Sequence, residues 1–479
     1  MIQIQHLDDT HCKVNCEPSI AQELADYFTF EVPGARFMPA VRNKMWDGKI
    51  RLFNPVTRTI YAGLTSHIVQ FCEGRDYDFF LDKKFVSTTN FGDKDVDDLA
   101  ECINLPFQPR DYQKTAVAAC VNNKRQLLLS PTGSGKSLII YLLTQHYAGH
   151  RVLILVPIVS LVHQMIKDFT DYGCTETVTG ITGGVDKNDL NRITVSTWQS
   201  IYKMPRKYFS QFDVVIGDEA HLFKAKSLTS IMTKLTDCPF RFGFTGTLDG
   251  TVTHRLVLEG LFGPVEKVTT TTELMENKVL ADLNINVLVL KHTDYNKQQL
   301  ARADYRKETE YIVGNKSRNE FIVKLLSSLK GNTLLLFSYV DKHGKPLYDM
   351  CQSLDKEVHL VYGGVSGDDR EHIRNYVEKN NNNVILASYG TFSTGINIRN
   401  LDNIVFASPS KSKIRVLQSI GRGLRTNDNK VSARLFDIVD DLRWKGWTNY
   451  TMTHYAERVR IYNEENFKYE IHGPFNLKE

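Results

Sequence analysis

Ser130-Pro131-Thr132-Gly133-Ser134-Gly135-Lys136-Ser137 decides how this chain is read. It follows an apolar run at 126–129 and precedes an apolar helical segment that would end near Gly149. A strand running into a glycine-rich turn and then a helix is the setting in which such a turn holds phosphate. Glycines let backbone N–H groups approach phosphate oxygens with no Cβ in the way, and the helix N-terminus adds partial positive charge. Pro131, Thr132, Gly133, Ser134 and Gly135 would line the loop. Lys136 would place its ammonium on the β- and γ-phosphates, and Ser137 would ligate Mg²⁺. The first glycine of the general GxxxxGK[ST] pattern is Ser130 here. A glycine turn without a ligand is the competing reading, and the strand–loop–helix context disfavours it.

Working outward, short apolar runs alternate with longer amphipathic stretches. One series lies at 126–130, 152–156, 193–196, 214–217 and 242–245; a second at 333–339, 358–362, 384–388, 404–407 and 435–439. Unbroken runs of this length read as strands buried on both faces, and their alternation with helices means parallel α/β layers. Ser317-Arg318-Asn319-Glu320 offers a capping box before a periodic segment at 321–329. The polar stretch 294–316 reads as an exposed helix or loop opening the second series. Residues 1–105 differ, with short mixed strands and a helix at 19–28; the acidic segment 93–101 reads as a linker or exposed helix. The expected fold class is α/β: two tandem RecA-like parallel-sheet domains, 106–285 and 286–440, preceded by a small α+β domain, 1–105, and followed by a helical extension, 441–479.

Composition sets bounds. A prior of about 150 residues per domain divides 479 residues into about three domains. Hydrophobic residues at 42% and charged residues at 24% exclude a disordered or collagen-like chain. The net charge of +4 is too small to prove a polyanionic partner, but it is unevenly spread: residues 1–105 carry −5 and the remainder +9. Eight Cys are scattered with no CxxC pair, which excludes a disulfide scaffold or zinc module and favours reduced thiols. The N-terminus lacks a signal-peptide pattern, and no apolar stretch is long enough to span a membrane, so a cytoplasmic protein is expected.

Asp218-Glu219-Ala220-His221 ends the run at 214–217. Two adjacent carboxylates at the end of a buried strand are costly unless something neutralises them. A metal ion and a reacting water would do so: Asp218 is assigned to Mg²⁺, and Glu219 to orienting or deprotonating the attacking water. His221 would couple the site to its neighbours.

In the second series, Gln418-Ser419-Ile420-Gly421-Arg422-Gly423-Leu424-Arg425 spaces Gln418, Arg422 and Arg425 along one helix face. Guanidinium groups there suit developing γ-phosphate charge. A phosphate loop in one domain and arginines in the next resembles the superfamily 2 helicases and translocases, in which ATP sits between two RecA-like domains. That resemblance implies that Gln113 reads the adenine edge, with Tyr112 packing near it. It implies coupling through Thr245 and Thr247, with Gly246 in place of the usual Ala. It implies strand-contacting roles for Pro157, Gln164, Gly183, Thr197, Trp198, Ser338, Gly363, Thr391 and Thr394. Asn397 stands where the family often has Asp.

The phrases Arg36-Phe37-Met38-Pro39, Trp46-Asp47-Gly48-Lys49-Ile50-Arg51-Leu52 and Ser388-Tyr389-Gly390-Thr391-Phe392-Ser393-Thr394-Gly395 extend the likeness over nearly the full length, to phage recombination helicases of this superfamily. Such a member would use ATP and Mg²⁺ to unwind or branch-migrate forks, D-loops, R-loops and four-way junctions in recombination-dependent replication and repair. It would act as a monomer in the host-cell cytoplasm, on DNA with single-stranded regions and on RNA–DNA hybrids. An ATP-switched clamp without processive movement and an RNA helicase are the rival readings. Between 34 and 60, six basic residues face one acid, Asp47, with Phe37, Trp46 and Phe53 interleaved. Arg42, Lys44 and Lys49 are expected on phosphates, while the aromatics either stack on bases or form the small domain's core.

Overall fold

Val214–Asp218, five buried residues in a row, is an inner strand of a seven-stranded parallel sheet in the computed structural model. The sheet runs Val265–Lys267, Arg125–Leu129, Phe240–Thr245, Val214–Asp218, Val152–Val156, Ile193–Thr197 and Val178–Ile181. Helices cover both faces, so inner strands carry no polar alternation. Gly217 pairs with Gly243 in register. A Cβ at either would come within 3 Å of the Phe262 ring, so the helix Val252–Phe262 packs tightly on this face.

The structure describes every residue except 185, 189, 224, 392–397, 399, 409–411, 425–431 and 479, and the backbone alone at 413, 414 and 422. The chain divides into two compact units: Met1–Ser130 with Gly135–Thr269, and Pro131–Ser134 with Thr270–Glu479.

Residues 1–105 thus share a unit with the first parallel sheet. Their own sheet is four-stranded, in the order Thr59–Tyr61, His11–Asn15, Ile2–His6, Phe79–Leu81. Leu24, Phe28, Phe53, Ile68 and Phe71 fill its core, together with Leu256 from the helix Val252–Phe262. The acidic segment forms the helix Asp93–Cys102: Asp95 accepts from Gly92 N at its start, and Val96 and Ala100 are buried.

In the second unit a further seven-stranded parallel sheet runs Val358–Val361, Val384–Ser388, Thr333–Phe337, Asn403–Phe406, Ser432–Asp441, Asp282–Lys291, Tyr469–Asn476. Two expectations need correction. A boundary after 285 would cut the strand Asp282–Lys291, whose Leu283, Ile285 and Val287 point inward between polar Asn284 and Asn286. That alternation has period two, unlike the unbroken runs of the other inner strands. The segment 441–479 is also more than helical, since Tyr469–Asn476 follows the helix Tyr450–Glu464 as an edge strand paired with Asp282–Lys291.

The polar stretch forms two helices, Asp294–Leu300 and Tyr305–Gly314. Glu308 in the second is buried because its carboxylate accepts from Tyr450 N and Thr451 N and so caps the C-terminal helix. The helix Lys316–Ser328 is capped by Asn315, which accepts from Arg318 N at 2.8 Å; Ser317 is not its cap.

Candidate nucleotide and strand-contacting site

Chemistry-bearing residues collect at the C-terminal ends of strands, where parallel sheets leave backbone groups for ligands. In the first sheet three adjacent strands, Arg125–Leu129, Phe240–Thr245 and Val214–Asp218, lead to the phosphate loop, to Thr245–Thr247 and to Asp218–Glu219. The next three lead to Pro157, to Trp198 and to Gly183. Residues expected on nucleotide and residues expected on a nucleic-acid strand therefore occupy the two halves of one edge.

Gly133 and Gly135 take φ of +86° and +80°, the left-handed region that favours glycine. Gly135 also gives Gln113 room: a Cβ there would lie 2.4 Å from Gln113 Nε2. Buried Gln113 accepts from Arg110 N at 2.9 Å, which holds its amide against the loop. Tyr112 is half-buried beside it, its hydroxyl receiving Arg110 Nη1 at 3.4 Å. Lys136 opens the following helix, and its Nζ donates to Ser130 O at 3.2 Å. Ser137 Oγ lies 2.8 Å from Tyr172 OH, a partner that no motif announces.

Asp218 is 9% exposed. Burial first, and the neighbouring Glu219 charge second, push its carboxyl up from 3.8 to about 6; Lys136 pulls the other way. Glu219 has φ +51°, a costly conformation for a residue with a Cβ. It turns the chain out of the strand and brings its Oε2 to 3.3 Å from His221 Nδ1. His221 Nδ1 is 3.1 Å from Thr245 Oγ1, which donates to Thr247 O at 3.0 Å. Ser130 N donates to Thr245 O at 2.8 Å, so the phosphate loop and the coupling segment leave the sheet tied together.

Ser137 and Asp218 offer the hard oxygen donors that Mg²⁺ takes, and Ser137 would exchange its Tyr172 bond to do so. Among the described residues no group of three His, Cys, Asp or Glu forms a metal cage. Mg²⁺ ordinarily binds through one or two protein oxygens plus phosphate, so the donor set fits.

Of the expected strand contacts, Gln164, Gly183, Ser338 and Gly363 are exposed, Trp198 is half-buried, and Pro157 O accepts from Gln199 Nε2 at 3.2 Å. Ser338, Gly363 and Thr391 again follow three adjacent strands, Thr333–Phe337, Val358–Val361 and Val384–Ser388. Thr197 and Thr391 differ from the expectation. Both are buried, and their hydroxyls lie 2.8 Å from Ser200 Oγ and 2.9 Å from Ser388 Oγ, bonds that fix the turns after their strands. Gln418 is half-buried on the helix Lys413–Gly423, which also carries Arg422. Thr394 and Arg425 lie outside the described residues.

On the N-terminal domain, Arg42 and Lys44 are exposed beside exposed Phe37, Met38 and Met45. Lys49 is half-buried in the strand Lys49–Arg51. Phe53 is core, and Trp46 is half-buried with its Nε1 donating to Lys49 O at 2.9 Å, so only Phe37 of the three aromatics is presented to solvent.

Three family profiles match: the N-terminal domain of the DNA helicase UvsW over residues 1–82, the Res subunit of type III restriction enzymes over 106–250, and the helicase conserved C-terminal domain over 317–427. The chain is 35% identical to the ATP-dependent DNA helicase UvsW of Enterobacteria phage T4, over 98% of both proteins. It is 26% identical to the DNA 3′-5′ translocase XPB2 of Sulfurisphaera tokodaii, over 78% of this chain and 90% of that one. The crystal structure of T4 UvsW superposes over the whole of both chains with a TM-score of 0.52 at 33% identity. With its small N-terminal domain and both parallel sheets matched end to end, the chain belongs to the UvsW family of superfamily 2 helicases.

Proposed function

We propose that this chain is an ATP-dependent DNA helicase that unwinds or branch-migrates branched DNA, including forks, D-loops, R-loops and four-way junctions. The observation that supports this most is the juncture of a glycine loop carrying Lys136 with the Asp218–Glu219 pair, wired through His221 and Thr245, on an edge whose other half presents exposed Gln164 and Gly183. Water cleaves the β–γ phosphoanhydride of bound MgATP, which supplies the driving free energy. In this reading the loop N–H groups and Lys136 hold the phosphates, Ser137 and Asp218 hold Mg²⁺, and Glu219 orients the attacking water. Arg422 and Arg425, with Gln418, add positive charge and hydrogen bonding at the γ-phosphate. Loss of that phosphate passes from Glu219 through His221 to Thr245 and Thr247. Exposed backbone-gripping loops select little sequence, so branch geometry sets the substrate. The protein acts as a monomer in the cytoplasm of the host cell.

The test compares ATP turnover and strand displacement on single-stranded DNA, duplex, fork, four-way junction and RNA. Turnover stimulated most by fork or junction, with displacement, and both abolished in Lys136→Ala while DNA binding persists, is expected. Stimulated turnover without displacement would make the protein a clamp, and preference for RNA would replace the DNA reading.

A further inference from the structure

We infer that the helix Val252–Phe262 couples the N-terminal domain to the hydrolysis centre, and that His254 is a positioning residue for the Glu219–His221 turn. This rests on the proposed role of Glu219 in orienting water.

The helix starts seven residues after the strand that carries Thr245. Asp249 Oδ1 accepts from Thr251 N at 2.9 Å and from Thr251 Oγ1 at 2.8 Å, and Thr251 Oγ1 accepts from His254 N at 3.2 Å. This cap aims the His254 ring, which is 4% exposed, at the carboxylate turn. His254 Nε2 lies 2.9 Å from His221 O. A carbonyl only accepts, so Nε2 carries the proton and donates. On the other side Nδ1 lies 2.9 Å from Asp249 Oδ1. His221 is thus held twice: its imidazole by Thr245 and Glu219, its carbonyl by His254.

Five residues on, and about 140° further round the helix, Glu259 faces the N-terminal domain. It is 1% exposed and lies 2.7 Å from His67 Nε2, on the helix Thr65–Glu73. The backbones also meet with no slack. A Cβ on Gly63 would fall 2.1 Å from Glu259 O, and one on Gly260 would fall 2.9 Å from the Tyr61 ring. Along the same helix Leu256 belongs to the N-terminal core, while Leu258, Leu261 and Phe262 belong to a core of the parallel sheet. One rigid helix is therefore shared by two cores, and it cannot shift at His67 without shifting at His221. Close packing makes such a joint transmit displacement rather than absorb it. Whatever DNA does to the N-terminal domain reaches the water-orienting turn, and the nucleotide state reaches the N-terminal domain by the same path.

The experiment is a double-mutant cycle in the full chain, with ATP turnover measured with and without forked DNA. His254→Ala and His67→Ala are each expected to lower the DNA-stimulated kcat about tenfold, with KM for ATP and affinity for the fork within twofold of the parent. The pair should lose no more than the worse single change, because both cut one line. His254→Gln, whose amide can donate to His221 O, should recover most of the rate. A loss of fold alone would lower Tm without separating kcat from KM. Multiplying losses in the double variant, or full stimulation in either single one, would overturn the coupling. Persistent turnover in Glu219→Gln would instead overturn the hydrolysis reading beneath it.

Discussion

Replacing Asp218 by Asn should stabilise the nucleotide-free protein at the same time as it stops hydrolysis. The carboxyl is buried beside the Glu219 charge, and its pKa rises from 3.8 to about 6. A rise of about two units corresponds to about 3 kcal/mol at roughly 1.4 kcal/mol per unit. For the sign, a raised folded-state pKa contributes stability that is fully present below the unfolded value and is lost as pH rises through the folded one. Above pH 6 the wild type holds an ionised, desolvated carboxylate, and an amide of the same shape avoids that cost. Urea denaturation without nucleotide or Mg²⁺ should therefore show a gain of about 3 kcal/mol for Asp218→Asn at pH 8, shrinking to about 1 kcal/mol at pH 4.5. An equal gain at both pH values, or none at pH 8, would mean that the carboxylate is well solvated in the empty pocket and that the electrostatic reasoning is wrong. The expected gain would make Asp218 a case in which function is retained against stability.

The paired change Arg42→Ala and Lys44→Ala should weaken DNA binding and reduce the slope of log affinity against log salt by about 1.4–1.8, at roughly 0.7–0.9 per phosphate contact; fluorescence anisotropy over a salt series checks it, and an unchanged slope would remove both from the interface. Arg458→Met should cost about 3–5 kcal/mol by urea denaturation, because it strips the fully buried Asp437 of its cation and leaves, among the described residues, the Tyr462 hydroxyl as its partner. Changing Asp437 to Leu in the same chain should recover most of that loss.

Most inner strands were legible because burial on both faces writes an unbroken apolar run, as at Val152–Val156, while the alternating Asp282–Lys291 was not. Nor were three of the four edge strands of the parallel sheets: Val178–Ile181, Val265–Lys267 and Tyr469–Asn476 are partly exposed and carry mixed side chains. The phosphate loop and the Asp218–His221 tetrapeptide were legible because each is a local pattern in a strand-to-turn context. The tie between His254 and His221 was not, since its acceptor is a carbonyl 33 residues away and no side-chain pattern marks it. Asp437, Asp440 and Asp441 read as acids ending a strand; Asp440 and Asp441 do close Ser432–Asp441, but Asp437 lies in its middle. Their partners lie far off in sequence: Arg458 on Asp437, Arg318 and His292 on Asp440, with Arg443 beside Asp441. A buried acid looks like a surface acid until the cation that matches it is placed.

The two strands that deliver the phosphate loop and the coupling segment are also held at their opposite ends by the N-terminal domain. Arg125 opens one and donates to Asp9 O at 2.5 Å. Arg241, near the start of the other, is fully buried and donates to Thr10 Oγ1 at 3.0 Å, to Cys238 O at 3.1 Å and to Leu235 O. Desolvating two guanidinium groups this close together is expensive, and burial with the Arg241 charge brings Arg125 down to about 10. A surface on which two modules merely rest would not carry that expense, because apolar contacts would serve. The Arg241 guanidinium, whose Nε, Nη1 and Nη2 all donate, instead fixes orientation, since its planar fork is satisfied in one arrangement. The Asp8–Thr10 turn therefore sets the register of two strands whose far ends carry the nucleotide residues, and the helix Val252–Phe262 sets a third point. Three anchors define a rigid body. In physical terms the N-terminal domain and the first parallel sheet are one compact unit, and under the proposed coupling a DNA contact on that domain would load the candidate nucleotide residues directly.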